Sequence, residues 1–330
     1  MQRSKTNGQI GGILSAFFFV FMPVLIVGQH RMVDEKTTID LPDPISKRSL
    51  AKLSGENILH DIIVLASDSM EGRATGSAGY ARAASFVRDR YIQYGLLPFG
   101  DSYYQQFKLA WSDVKSTVHL SESHADSVET MNVMAFKKGS SLTDEVVVLT
   151  AHLDHLGRSG DTIFHGANDN ASGVAVLLAV AQALQSIETK RTILFVAFSG
   201  EEVGLKGSEF FVGHAPIPLN RIRWALNLDL VGSGRDGLMV QGVDGHDRQW
   251  ETVQQINEKY FHFELKTRPN SPNSDQYFLH RSGVPAFFIY AYNGTSPYHH
   301  PDDLPSRLDK TVLENLAKFV FIACLQFANQ

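Results

Sequence analysis

His152 and Asp154 stand two residues apart at the end of the apolar run VVVLTA, residues 146–151. A run so rich in β-branched side chains reads as a buried parallel strand, and residues two apart on an extended backbone leave the same face. An imidazole and a carboxylate on one face of a strand end are donors suited to a divalent metal. Similar side chains recur where other apolar runs stop: Glu201 and Glu202 after TILFVAFS, Asp229 near the end of WALNLDLVG, and PYHHPDD after PAFFIYAY. Asp169 and Asn170 precede GVAVLLAVAQAL, where side-chain oxygens suit the start of a helix. Each has an ordinary explanation by itself, as a loop histidine, a solvated turn or a helix cap. Asp229 resists that reading most, because a carboxylate between Leu228 and Leu230 is costly to bury without a cation. Their joint occurrence at strand ends points to a metal site.

The runs that carry these residues set the architecture. Residues 146–151, Thr192–Ser199, Trp224–Gly232 and Pro285–Tyr292 read as strands, and the segments after Asn170, Asp247–Tyr260 and Leu313–Phe327 as helices. That alternation predicts an α/β fold, a three-layer α/β/α sandwich with a mixed, mostly parallel central sheet. In such sheets ligands bind outside the carboxyl ends of the strands. Upstream, Ile58, Ile62 and Leu65 have helical spacing, and Tyr80, Ala83, Ala84, Val87, Tyr91 and Tyr94 form a stripe that Gly95 is placed to end. Between them SMEGRATGS is a glycine-interrupted loop. Alternation at Val118 and Leu120 and at Val133 and Ala135 predicts two or three edge strands within residues 103–136.

Composition narrows the setting. The chain has 330 residues, 43% hydrophobic and 20% charged, enough for a large core, and its net charge of −5 excludes a polyanion-binding surface, so nucleic acid is not an expected partner. The lone Cys324 lies in an apolar helix pattern and forms no internal disulfide. Arg3 and Lys5 precede an apolar run from Ile13 to Val27 that stops at Gly28. The run is shorter than the ~20 residues of a membrane span and suits the core of an export signal. Residues 1–28 are therefore expected to be a signal peptide or N-terminal anchor, directing the chain to the periplasm or outside the cell. Any membrane contact would run through that segment. Residues 29–53 are expected to form a tether.

The blocks HLDHLG, GANDNASG, FSGEEVGLKGS, NLDLVGS, SDQYF with GVPAFFI, and YHHPDD, in that order, resemble the dizinc aminopeptidase family. LASDSMEGRATGSAGYARAASFVRDRYIQYGL is similar to its bacterial members. The resemblance implies a single zinc-peptidase catalytic domain over residues 54–330, and the stretch 108–145 is too short to hold the family's protease-associated insert. It further implies two zinc ions, with His152 and Asp229 on one, Glu202 and His299 on the other, and Asp169 bridging both. Glu201 would be the general base for an activated water and Asp154 would orient His152. Asp275 is a further supporting candidate. Tyr298 has two open roles, oxyanion stabilisation or packing. His155, His165 and His300 are set aside, His300 because the family's tyrosine-histidine pair favours His299, although YHHPDD departs from the commoner form with threonine after the histidine.

The expected activity is that of an exported metallo-aminopeptidase acting on peptide substrates. The alternatives on the same fold are a glutaminyl-peptide cyclase, a carboxypeptidase, or a binding protein with a dead site. The intact NDN block argues against the cyclase, and no substituted catalytic position argues for the last.

Overall fold

The computed structural model describes residues 48–114 and 126–330. The expected signal or anchor over residues 1–28, tether residues 29–47 and the alternation at Val118 and Leu120 lie outside the described residues. Leu53, at the end of the expected tether, is fully buried.

Helix α1 (Gly55–Leu65) starts at Ser54, whose hydroxyl accepts the Asn57 N–H, and buries Ile58, Ile62 and Leu65. Helix α2 (Ala78–Gln93) is capped by Ser77 in the same way and buries Tyr80, Ala83, Ala84, Val87 and Tyr91. It ends at Gly95, whose φ of 70° lets the Leu96 N–H return to the Tyr91 carbonyl. Strands β1 (Tyr104–Ala110) and β2 (Ser127–Lys137) pair antiparallel at one side of the sheet, two of the two or three edge strands expected there, and β3 (Leu142–His152) is the first central strand. Helix α3 (Ser172–Leu184), β4 (Arg191–Phe198), helix α4 (Lys206–Gly213) and β5 (Ile222–Leu228) follow. The chain closes with β6 (Leu238–Gln241), α5 (Asp247–Tyr260), β7 (Leu265–Arg268), α6 (Gln276–Arg281), β8 (Ala286–Ala291) and α7 (Lys310–Asn329).

The strands make one eight-stranded sheet in the order β1-β2-β4-β3-β5-β8-β6-β7. Its centre, β4-β3-β5-β8, is parallel, and β2 and β6 join it antiparallel. The mixed, mostly parallel sheet expected from sequence is therefore present. Alternation along the central strands divides the core in two. Val147, Leu149, Ile193 and Phe195 pack with α1, α2, α3, α5 and α7, whereas Val148, Leu194, Val196 and Phe198 pack with Phe211 of α4 and Leu279 of α6. Those are the three layers. Trp224 stacks on Phe327 at a centroid distance of 4.2 Å and so fastens α7 to the sheet. Cys324 on α7 is fully buried, and burial pushes its thiol up to about 12.

The carboxyl ends of β3, β4, β5 and β8 open on one edge, and α4 determines how the chain leaves β4. Asn132 of β2 accepts the Ser199 N–H at 3.0 Å and donates to the Gly207 carbonyl at 2.9 Å. A Cβ at Gly207 would lie 2.1 Å from the Ser199 carbonyl oxygen, so only glycine allows α4 to sit this close. Gly207→Ala is expected to lower stability by roughly 1–3 kcal/mol in urea unfolding. Gly213→Ala, where nothing lies within 4 Å of the new methyl, should be neutral or slightly stabilising.

Candidate metal centre

Three strand ends, one helix start and one loop bring the polar residues together. β3 ends on His152, β5 stops one residue before Asp229, and the turn after β4 carries Glu201 and Glu202. Asp169 lies in an irregular turn, Ala167–Ala171, entered through Gly166 at a φ of 57°. The next residue supplies the helix cap: Asn170 Oδ1 accepts the Gly173 N–H at 2.9 Å, and its Nδ2 donates to the Leu228 carbonyl at 2.8 Å. The amide thus ties α3 to the end of β5 and leaves the Asp169 carboxylate to the site.

That carboxylate faces two histidines. His152 Nε2 is 3.2 Å from Asp169 Oδ1 and 3.2 Å from Asp229 Oδ1. His299 Nε2 is 3.3 Å from Asp169 Oδ2 and 3.0 Å from Glu202 Oε2. Neighbouring donors on a tetrahedral zinc with bonds of about 2.0 Å are ~3.3 Å apart. His152 donates Nδ1–H to the Asp154 carbonyl at 3.1 Å, so in the neutral ring Nε2 turns a lone pair toward two carboxylate oxygens. Such a set of donors suits a divalent cation. The charge balance agrees. Burial alone would push His152 down, but Asp229, Glu201 and Asp169 hold it well above its usual range. Burial opposes the shift in His299 too, yet hydrogen bonds to Asp169 and Glu202 push it up to about 10. The residues present fit two divalent ions sharing Asp169.

The supporting residues are placed less as expected. Asp154 reaches His152 through its backbone oxygen, with the nearest carboxylate contact at 3.9 Å. Its carboxylate instead accepts the N–H groups of Glu201 (3.2 Å) and Glu202 (3.3 Å) and the Thr75 hydroxyl (2.7 Å), fixing the turn after β4. Asp275 is wholly buried and makes no hydrogen bond to a metal-facing residue; burial, reinforced by Asp154 and Asp229, pushes it up to about 7. Its neighbour Ser274 does that work, donating to Asp229 Oδ2 at 2.9 Å and accepting from Asn227, which is held by Thr150. The Glu201 carboxyl is raised well above its usual range, by burial first and then by Asp229 and Glu202. Tyr298 is 64% exposed, and its ring stacks on His299 with centroids 3.8 Å apart.

Of the histidines set aside, His165 and His300 lie away from the cluster. His165 is bonded to the Ala66 carbonyl, and His300 accepts the Asp302 N–H at an exposed turn. His155 does not. It is fully buried, donates Nδ1–H to Glu202 Oε1 at 2.8 Å, and lies 4.0 Å from Asp169 Oδ2. The only sequence signal was its place in HLDH. Asp303, the last residue of YHHPDD, is a further supporting residue. Its buried carboxylate accepts the N–H groups of Asn168 and Asp169 near 3.0 Å, and the Ser296 hydroxyl, joining the loop of His299 to the turn of Asp169.

An α/β/α sandwich whose carboxyl edge holds two histidine-carboxylate clusters joined by one aspartate has the makings of a two-metal hydrolase centre. Residues 132–323, more than half of the chain, match peptidase family M28, and the chain belongs to that family. It is 32% identical over 203 residues to aminopeptidase YwaD of Bacillus subtilis (58% of this chain, 43% of that protein). It is 35% identical over 125 residues to a probable leucine aminopeptidase 2 of Aspergillus oryzae (38% and 24%). The matches thus span less than half the length of these curated relatives. Among solved structures, the zinc aminopeptidase BSAP from Bacillus subtilis superposes with a TM-score of 0.70 at 18% identity, covering 84% of this chain and 96% of that one. An aminopeptidase from Aneurinibacillus sp. strain AM-1 gives 0.67 at 18% identity, covering 86% and 96%. At that identity the likeness is one of fold.

Zinc uptake measured by chelator competition should distinguish the histidines: His299→Ala is expected to lower it and His300→Ala to leave it unchanged. Asp303→Ala leaves two buried N–H groups without their acceptor. It should cost roughly 1–3 kcal/mol for each in thermal or urea unfolding and weaken zinc binding.

Proposed function

We propose that the chain is an exported aminopeptidase that uses two zinc ions to hydrolyse the N-terminal peptide bond of peptides. One observation carries the reading: the two oxygens of Asp169 face different histidines, one paired with Asp229 and the other with Glu202. His152, Asp229 and Asp169 would hold one ion, and His299, Glu202 and Asp169 the other. Bound there, the pair would supply Lewis acidity for the scissile carbonyl and for the attacking water. The family, the names of the aminopeptidase relatives and the export-like pattern of residues 1–28 support the remaining parts.

The chain's own contribution is proton handling and alignment. Glu201 accepts a proton from the attacking water and returns it to the departing amine, and its burial favours holding that proton between the two events. Its backbone N–H is fixed by Asp154, so the carboxyl stays beside the cluster while Glu202 would hold the ion. Asp229 is kept from rotating by Ser274.

Turnover of aminoacyl p-nitroanilides by protein from residue 29 onward tests the proposal. Activity should vanish on chelation, return with zinc, and be absent for Nα-acetylated substrates. Glu201→Gln should retain zinc and lose about 10²–10⁴-fold in kcat. No turnover by protein carrying two zinc ions would overturn the aminopeptidase assignment.

A further inference from the structure

Behind the metal-facing side chains lies a cation that the proposed mechanism does not use. Arg73 is wholly buried, and among the described residues it is the only lysine or arginine that is. Among the described residues no carboxylate lies at ion-pairing distance from it. Its guanidinium donates instead to four backbone carbonyls: Leu65 (2.6 Å), Leu153 (2.9 Å), His165 (2.8 Å) and Gly166 (2.8 Å). These belong to the end of α1, the link between His152 and Asp154, and the approach to Asp169. The Arg73 carbonyl accepts the His155 N–H at 3.1 Å. Glu71, Gly72 and Arg73 all have left-handed φ, at 48°, 66° and 51°, and a Cβ on Gly72 would lie 2.2 Å from the Gly157 carbonyl oxygen. An unfavourable backbone thus delivers this side chain beneath the site.

A buried charge held only by carbonyl dipoles is costly unless a field of opposite sign stabilises it. That field comes from Asp169, Asp303, Asp154 and Glu202. Burial pulls Arg73 down to about 10 against these acids, which leaves it charged at neutral pH.

We infer that Arg73 is a built-in counter-charge for the metal centre, a positioning residue that offsets repulsion among the buried carboxylates before ions bind and opposes the ions once they do. The inference rests on the two-zinc reading. It gives a sign that a carbonyl clamp alone does not. Removing the charge weakens the ion-free fold yet tightens zinc, whereas merely loosening the loops would weaken zinc or leave it unchanged.

The experiment compares the parent, Arg73→Gln and Arg73→Lys by melting temperature, chelated and zinc-loaded, and by zinc dissociation constant from chelator competition. Arg73→Gln is expected to lower the dissociation constant roughly tenfold or more, the order expected for one charge acting on a dication in a protein interior. Its chelated form should lose more melting temperature than its loaded form. Arg73→Lys keeps the charge without the fork; it should melt lower in both forms while binding zinc like the parent. Unchanged or weaker zinc binding by Arg73→Gln overturns the inference. If that variant folds in neither form, Arg73→Lys decides, and markedly altered zinc affinity there overturns it. A parent that takes up no zinc defeats the metal reading itself.

Discussion

Asp169 turns one carboxylate oxygen to His152 and the other to His299, and much of the surrounding structure exists to keep a buried acid in that divided position. Its own backbone is held by Asp303, its neighbour Asn170 is engaged by α3 and β5, and Gly166 gives the turn its left-handed entry. An acid buried among other acids gains little from packing and is stabilised only by donors and cations fixed in advance. Hydrogen-bond donors accordingly surround the cluster: Thr75 and two backbone N–H groups on Asp154, Ser274 on Asp229, and His155 on Glu202.

The sheet accounts for why these groups meet. Four parallel strands put the end of each apolar run on one edge, so the apolar side chains fill both layers of the core while the first polar residues beyond them converge. His299 is the exception, because it arrives on a loop after β8 rather than at a strand end. It adopts a φ of 51°, which a histidine takes up only when its surroundings hold it there. The stack with Tyr298 and the anchoring of Asp303 supply that hold.

What the sequence made legible follows the same division. The buried runs of β3, β4, β5 and β8 and the apolar stripes of α1 and α2 have the length and period that make strands and helices readable, and the residues at their ends were found with them. β6 and β7, four residues each, and the six-residue α6 are too short to show a period and were missed. His155 lies past the end of the β3 run, where no strand period places it, and only the folded chain brings it to Glu202. Thr75, Ser274 and Asp303 lie in loops, Arg73 ends a short kinked 3₁₀ segment, and all meet partners far away along the chain, such as Asp303 with Asn168 at a separation of 135 residues. No local pattern encodes such a pairing.

The single cysteine gives the fold an internal timekeeper. The Cys324 thiol is sealed between α7 and the sheet and raised to about 12, so in the native state it has neither access nor thiolate to offer an alkylating reagent. Its modification can proceed only as fast as the closing helix lifts away. The native chain therefore records the opening of its C-terminal layer through one chemical event, and a cysteine introduced on the surface can carry a label without the natural one being removed.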